Sequence, residues 1–129
     1  MRRNVLVLLV TLVAAAAVAA GCAGPESSQA PPQQMRTGDP GRGAALISHY
    51  GCGSCHEVPG VAGADGLVGP PLTHFSRRGY VAGVLPNSEQ NLEHWIEDPQ
   101  SVVPGNAMPD LGVTHRDAID ITAYLYTLR

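Results

Sequence analysis

Two thiols stand two residues apart in Cys52-Gly53-Ser54-Cys55-His56, with an imidazole directly after the second. Thiols at this spacing can do three kinds of chemistry. They can form a thioredoxin-like redox pair, supply half of a zinc site, or add to the two vinyl groups on the edge of a porphyrin, which is how c-type haem is attached. The adjacent His favours the third. Sulfurs bonded to neighbouring points on the porphyrin edge bring the next residue under the ring, where its imidazole can ligate iron. The redox reading calls for a βαβ context that the flanking sequence lacks. The zinc reading calls for more soft ligands, and the one other cysteine, Cys22, has a separate use.

That use follows from the N-terminus. Met1-Arg2-Arg3 is followed by an apolar run from Val5 to Ala20 in which only Thr11 is polar, and then by Gly21-Cys22. A basic start, an apolar stretch and small residues at its end predict a secretory signal over residues 1–21. Ala19-Ala20-Gly21-Cys22 is similar to a bacterial lipobox, with Ala19 where Leu usually stands, so Cys22 is the candidate for lipidation. The alternative is an uncleaved anchor, since a run of about 17 residues is at the lower limit for crossing a bilayer. Both place the rest of the chain outside the cytoplasm and tied to a membrane. Residues 22–37 hold three prolines and little apolar content, the composition of a tether. A coil of that length extends about 20–25 Å.

The remaining stretch, 38–129, is one small domain, a size at which core is scarce relative to surface. The whole chain has one Phe, one Trp and four Tyr. A buried haem would supply the apolar centre that so few large side chains cannot. Loss of the signal leaves six basic against eleven acidic side chains, and lysine is absent throughout. Nucleic acid is excluded as a partner, because nothing in the chain forms a basic stripe.

The elements that must position the motif are read as helices. Asp39-Pro40 predicts an N-cap and a first-turn proline, with Leu46, Ile47 and Tyr50 at helical spacing and Gly51 as the stop. Gly43 shares the Ile47 face and is either a point of close helix approach or incidental. Residues 57–71 form a loop rich in Gly and Pro, long enough to need something to wrap. A short helix is expected within residues 73–85. Asn87 or Ser88 caps a helix with Leu92, Trp95 and Ile96 on its apolar face, stopped by Pro99. An irregular loop over residues 100–112 follows. Thr114, with Asp117 three residues on, opens a last helix whose stripe is Ala118, Ile121, Leu125 and Leu128. No strand is expected. The fold class is all-α: three main helices plus short helices and irregular loops around one cofactor.

Six-coordinate haem iron needs a second axial ligand, usually Met or His. Met1 leaves with the signal and Met35 lies in the tether. Met108 sits in Pro104-Gly105-Asn106-Ala107-Met108-Pro109, a proline-braced loop with no helical face to pack, and is the candidate. His49 is too near the motif to reach across the ring. His74 and His94 keep a bis-His haem open as the alternative, and His115 reads as a surface residue.

In the order of these features the chain resembles a class I, mono-haem cytochrome c. The residues that carry the resemblance are Cys52, Cys55 and His56; Gly69-Pro70-Pro71-Leu72; Trp95 to Pro99; Pro104-Gly105 with Met108; and the amphipathic last helix. The resemblance implies one covalent haem c held by Cys52 and Cys55, with His56 and Met108 on the iron. It implies that the Pro70 carbonyl receives the far ring nitrogen of His56, and that Leu72 and Trp95 belong to the haem environment. It implies also that Gly43 and Ile47 cross Ile121 and Tyr124.

The function implied is single-electron transfer in an extracytoplasmic respiratory chain, not catalysis. The partners would be redox proteins, among them a terminal oxidase, a cytochrome bc1-type complex or a dehydrogenase. Alternatives are a haem enzyme or gas sensor with a displaceable Met108, and a cytochrome subunit within a dehydrogenase complex. The lysines that ring the haem edge in mitochondrial relatives have no counterpart in this sequence. Val61-Ala62, Leu67-Val68 and Ala107 are expected to form an apolar contact patch in their place.

Overall fold

The structure, a computed structural model, describes residues 37–129. The signal, Cys22 and most of the tether lie outside the described residues. Among the described residues no helix is long and apolar enough to cross a membrane.

Four α-helices carry the domain: α1 (Pro40–His49), α2 (Glu89–Glu97), α3 (Pro99–Val102) and α4 (His115–Thr127). Single 3-10 turns occupy Cys52–Ser54 and Phe75–Arg77. The helix ends obey local chemistry. The Asp39 carboxylate accepts the Gly41 and Arg42 N–H groups at 2.9 and 3.2 Å, and Gly51 follows α1 in the left-handed region at φ 71°. Thr114 caps α4 by accepting the Asp117 N–H at 3.3 Å. Of the two candidate caps for α2 it is Ser88 that accepts the Asn91 N–H, at 3.2 Å. Asn87 instead donates to the carbonyls of Phe75 and Arg78 at 3.1 and 3.0 Å and accepts the Tyr126 hydroxyl at 2.9 Å.

Two expectations are corrected. The short helix expected within residues 73–85 is there as the 3-10 turn Phe75–Arg77, but the expectation of no strand fails: a two-stranded antiparallel ribbon follows, β1 (Tyr80–Val81) with β2 (Leu85–Pro86). Two-residue strands are too short to leave a period-two pattern, and Ala82 and Gly83 both take positive φ to make the turn. Pro99 ends α2 as expected but also begins α3, because a proline needs no N–H in a first turn. The Asp98 carboxylate caps that turn by accepting the Ser101 N–H at 3.0 Å.

The first and last helices cross at Gly43. A Cβ there would lie 2.0 Å from the Asp120 carbonyl oxygen and 2.9 Å from the Tyr124 Cβ, so close approach, not accident, accounts for the glycine. The crossing has a polar side. Asp120 is buried, accepts the Asp39 N–H at 2.8 Å, and is paired with Arg42 and, at 3.5 Å, Arg116. Arg42 also pairs with Asp117, which accepts the Tyr50 hydroxyl at 2.7 Å. Burial works to raise the Asp120 pKa, but the Asp39 N–H and Arg42 outweigh it and hold the carboxyl below its usual range. For Asp117 the Tyr50 hydroxyl is the largest influence and lowers it; burial opposes this and Arg42 adds to it.

The other side of the crossing is apolar. Ile47, Ile121 and Leu125 are buried there, joined by Leu92 and Ile96 from α2, by Phe75 and by Val81. These residues pack as one cluster, and all of them also line a cavity.

Candidate functional site

The cavity has a volume of about 460 Å³, within the range of about 300–1,000 Å³ common for small-molecule and cofactor sites. Its walls come from every part of the domain. Cys52, Cys55 and His56 enter from the turn after α1, Gly69, Pro70 and Leu72 from the long loop, Trp95 and Ile96 from α2, and Met108 from the loop before α4. All seven domain residues that the sequence singles out are therefore brought together; the eighth, Cys22, is outside the described residues.

The motif is locked by backbone contacts. The long loop folds back on it, the Gly66 N–H donating to Gly53 at 3.0 Å and the Gly69 N–H to Cys55 at 2.8 Å. Cys52 and Cys55 are not joined to each other and both are partly buried. Burial pushes the Cys52 thiol up, whereas a reactive redox dithiol is held down by its surroundings. The thioredoxin-like reading loses support here. So does the zinc reading, since among the described residues no three His, Cys, Asp or Glu side chains converge on one point.

His56 Nδ1 lies 2.8 Å from the Pro70 carbonyl oxygen. A carbonyl can only accept, so Nδ1 carries a proton, and in the neutral ring that leaves the lone pair on Nε2, the tautomer that ligates a metal. The ring is also shaped from behind. A Cβ on Gly69 would meet the His56 Cε1 at 2.3 Å and Nδ1 at 2.6 Å, so no larger residue can stand there while the imidazole keeps its place.

Met108 is half-buried, and its loop is held by side-chain amides on both sides. The rival histidines do not line the cavity. His49 packs edge-on against Tyr50, with ring centres 5.0 Å apart, and His115 pairs with Glu97 at 2.6 Å. His74 takes a left-handed φ of 54° as the 3-10 turn begins, and His94 is exposed on α2.

Sequence reasoning missed three contributors. Among the described residues, Arg78 is the only Arg, Asp or Glu lining the cavity. Its guanidinium donates to the carbonyls of Pro71 and, at 3.2 Å, Thr73, and lies 5.2 Å from the centre of the Phe75 ring. No local pattern marks it. Gln100 and Asn106, which hold the Met108 loop, are the other two. Asn106 could have been found, since an Asn two residues before a backbone N–H is the signature of an Asx turn. Gln100 has no such signal.

Two thiols, an imidazole, a thioether and a largely apolar enclosure fit a covalently attached haem. The apolar walls suit the porphyrin faces, the thiols suit the vinyl groups and the ring nitrogen suits the iron. When bound, haem supplies one-electron iron chemistry.

Comparison with known proteins agrees with this fit. The chain is similar to proteins named cytochrome c oxidase subunit 2: 38% identical over 68% of this chain in Alkalihalophilus pseudofirmus, 37% over 64% in Bacillus sp. strain PS3, and 38% over 52% in Bacillus subtilis. It spans about a quarter or less of the length of those relatives, 25%, 24% and 19% respectively. No solved structure matches. The family model for cytochrome c matches residues 41–129, which covers all but the first residue of α1, helices α2 to α4 and every wall of the cavity, and the chain accordingly belongs to the cytochrome c family, with haem c as its covalently bound, iron-containing cofactor.

Proposed function

We propose that this protein is a membrane-tethered, extracytoplasmic electron carrier that relays single electrons through one haem c in a respiratory chain. Cys52 and Cys55 bind the haem covalently, and His56 and Met108 are its axial iron ligands. Pro70 fixes the His56 tautomer, and Leu72 and Trp95 complete the haem environment. The observation that carries this reading is the contact of His56 Nδ1 with the Pro70 carbonyl at 2.8 Å in the cavity that Met108 also lines. An iron kept by two protein ligands in both redox states has no open position at which to transform a substrate, so the role is relay and not catalysis. Met and His together give a higher potential than two His, suited to the oxidising end of a chain.

The relatives' name brings a terminal oxidase forward as the acceptor. A cytochrome bc1-type complex or a dehydrogenase is the corresponding donor. In this reading Cys22 is lipidated after removal of residues 1–21, residues 22–37 are the tether, and 38–129 work within reach of the membrane. The rival, a small-ligand sensor with a displaceable Met108, gains nothing from the cavity: among the described residues Arg78 is its only Arg, Asp or Glu, and His56 its only histidine.

Absorption spectra of the oxidised and reduced protein, with and without carbon monoxide, test the proposal. A low-spin haem that leaves carbon monoxide unbound at neutral pH is expected, and the Met108→Ala variant should bind it readily. Rapid, complete binding by the unmodified protein would favour the sensor.

A further inference from the structure

Gln100 stands on α3, eight residues before Met108. Its Nε2 donates to the Met108 carbonyl at 2.8 Å and to the Asn106 carbonyl at 3.1 Å, while its Oε1 accepts the Gly105 N–H at 3.0 Å. The Asn106 Oδ1 accepts the Met108 N–H at 2.8 Å, and its Nδ2 donates to the carbonyls of Pro99 and Val103 at 2.8 and 2.7 Å. Both backbone polar groups of Met108 thus end on side-chain amides, and both amides are anchored at α3. That helix is capped by Asp98 directly after α2, which carries Trp95 and Ile96 into the cavity wall. The backbone at Met108 is therefore referred to the same wall as the rest of the site, through two amides and one short helix.

We propose that Gln100 and Asn106 are positioning residues that keep Met108 on the iron and so decide whether small ligands can enter. The proposal rests on the reading of Met108 as the second axial ligand. A thioether is a soft ligand and ferric iron a harder acid than ferrous, so the oxidised state is where Met108 is most easily displaced by a nitrogen ligand. The competition is decided by how much the loop loses on opening. Opening breaks the two hydrogen bonds from the amides to Met108 and frees the loop. Closing it again must order that backbone, which is entropically costly. Proline braces at 104 and 109 limit the loop, but a proline has no N–H to offer the Met108 carbonyl, whereas the Gln100 amide donates to it.

The test is a titration of the full-length, haem-loaded ferric protein with imidazole, followed by the charge-transfer absorption from the thioether to ferric iron. Gln100→Leu is expected to bind imidazole about tenfold more tightly than the unmodified protein, equivalent to about 1.4 kcal/mol, and to lose the charge-transfer absorption at a correspondingly lower imidazole concentration. Gln100→Glu keeps the side-chain length and the acceptor for Gly105 but offers no donor at neutral pH. It is expected to match Gln100→Leu and serves if that variant does not mature. Asn106→Asp keeps the acceptor for the Met108 N–H and should lie between Asn106→Ala and the unmodified protein. Met108→Ala should lack the absorption and bind imidazole with no further gain when Gln100→Leu is added. If both Gln100 variants match the unmodified protein while Met108→Ala opens the iron, the amide proposal is overturned and the ligand reading stands. If Met108→Ala itself keeps the absorption, the ligand reading falls and takes this proposal with it.

Discussion

The haem cavity and the crossing of α1 on α4 share Ile47 and Ile121 as a common wall, but they are built by opposite means. The chemistry-bearing side of the cavity is set by loops: its polar anchors are backbone carbonyls and amide side chains, and its shape depends on a glycine beneath an imidazole. The crossing is made by helices: its anchors are charged pairs around a buried carboxylate, and its closeness depends on a glycine facing a carbonyl. The difference teaches a division of labour. In the proposed reading the crossing serves the stability of the domain, while the loops set the behaviour of the iron. Substitutions at the two glycines, at the ion pairs and at the rim should therefore separate the two.

The largest effect is expected at Gly69. Alanine there places a Cβ 2.3 Å from the His56 ring, and the ring cannot yield without leaving the Pro70 carbonyl. Gly69→Ala should abolish most of the mature low-spin haem protein, read as the amplitude of the reduced-minus-oxidised spectrum per milligram of chain. A normal spectrum would mean that the His56 wall is softer than the loop contacts imply. Gly43→Ala is the counterpart on the crossing. Its Cβ meets backbone, not a flexible side chain, at 2.0 Å. Overpacking of this kind costs about 1–3 kcal/mol, which for a domain of this size lowers the melting temperature by roughly 5–20 °C. The haem spectrum of the material that remains folded should be unchanged, and a shifted spectrum would break the proposed division.

The ion pairs come next. Asp117 and Asp120 have folded pKa values held below their usual value. A carboxyl of this kind stabilises the fold above its unfolded pKa of about 3.9, and that contribution is lost as pH falls through the folded value. Stability should accordingly drop on acidification below about pH 4. Arg42→Ala removes the partner that both share, so its melting temperature should differ most from the unmodified protein near neutral pH. The two should converge as pH falls through the folded values, where the carboxyls become protonated in both. A gap that stays constant from neutral to acid pH would show that Arg42 acts through packing alone.

How much of this was legible depends on the distance over which each feature acts. Asp39, Ser88 and Thr114 cap helices through bonds spanning two or three residues, and the Cys52–His56 motif is shorter still, so local sequence holds the whole signal. The ribbon at Tyr80–Pro86 was not legible because two-residue strands carry no periodicity. Nor was the bond from the Asp39 N–H to Asp120, which spans 81 residues and turns an apparent polar residue on the last helix into a buried anchor. Gly43 offered both meanings until its neighbour across the crossing was known. The site divides in the same way. Its chemistry-bearing residues were readable from type and spacing, whereas Arg78 and Gln100 act on carbonyls and leave no mark on the pattern around them.

The smallest effect on the molecule, and the most informative about its partner, belongs to the rim. Leu67 and Val68 are 88% and 78% exposed, large apolar side chains in water on the loop that carries Pro70. Val68 and Ala107 also line the cavity, so the apolar rim is continuous with the haem enclosure, whereas Val61 turns inward against the core and does not belong to it. Leu67→Glu and Val68→Glu should each leave stability within about 0.5 kcal/mol, as exposed substitutions do, and the spectrum untouched. Electron exchange with a terminal oxidase that docks on this rim should nevertheless slow, on the order of tenfold for the pair, because two charges would have to be desolvated in the contact. A chain without lysine has no ring of ammonium groups to steer association, so the rate for the unmodified protein should vary little with ionic strength, unlike steered encounters that fall steeply with salt. Exchange that is fast at low salt and collapses at high salt, or a double variant that reacts at the unmodified rate, would move the docking site away from the haem edge.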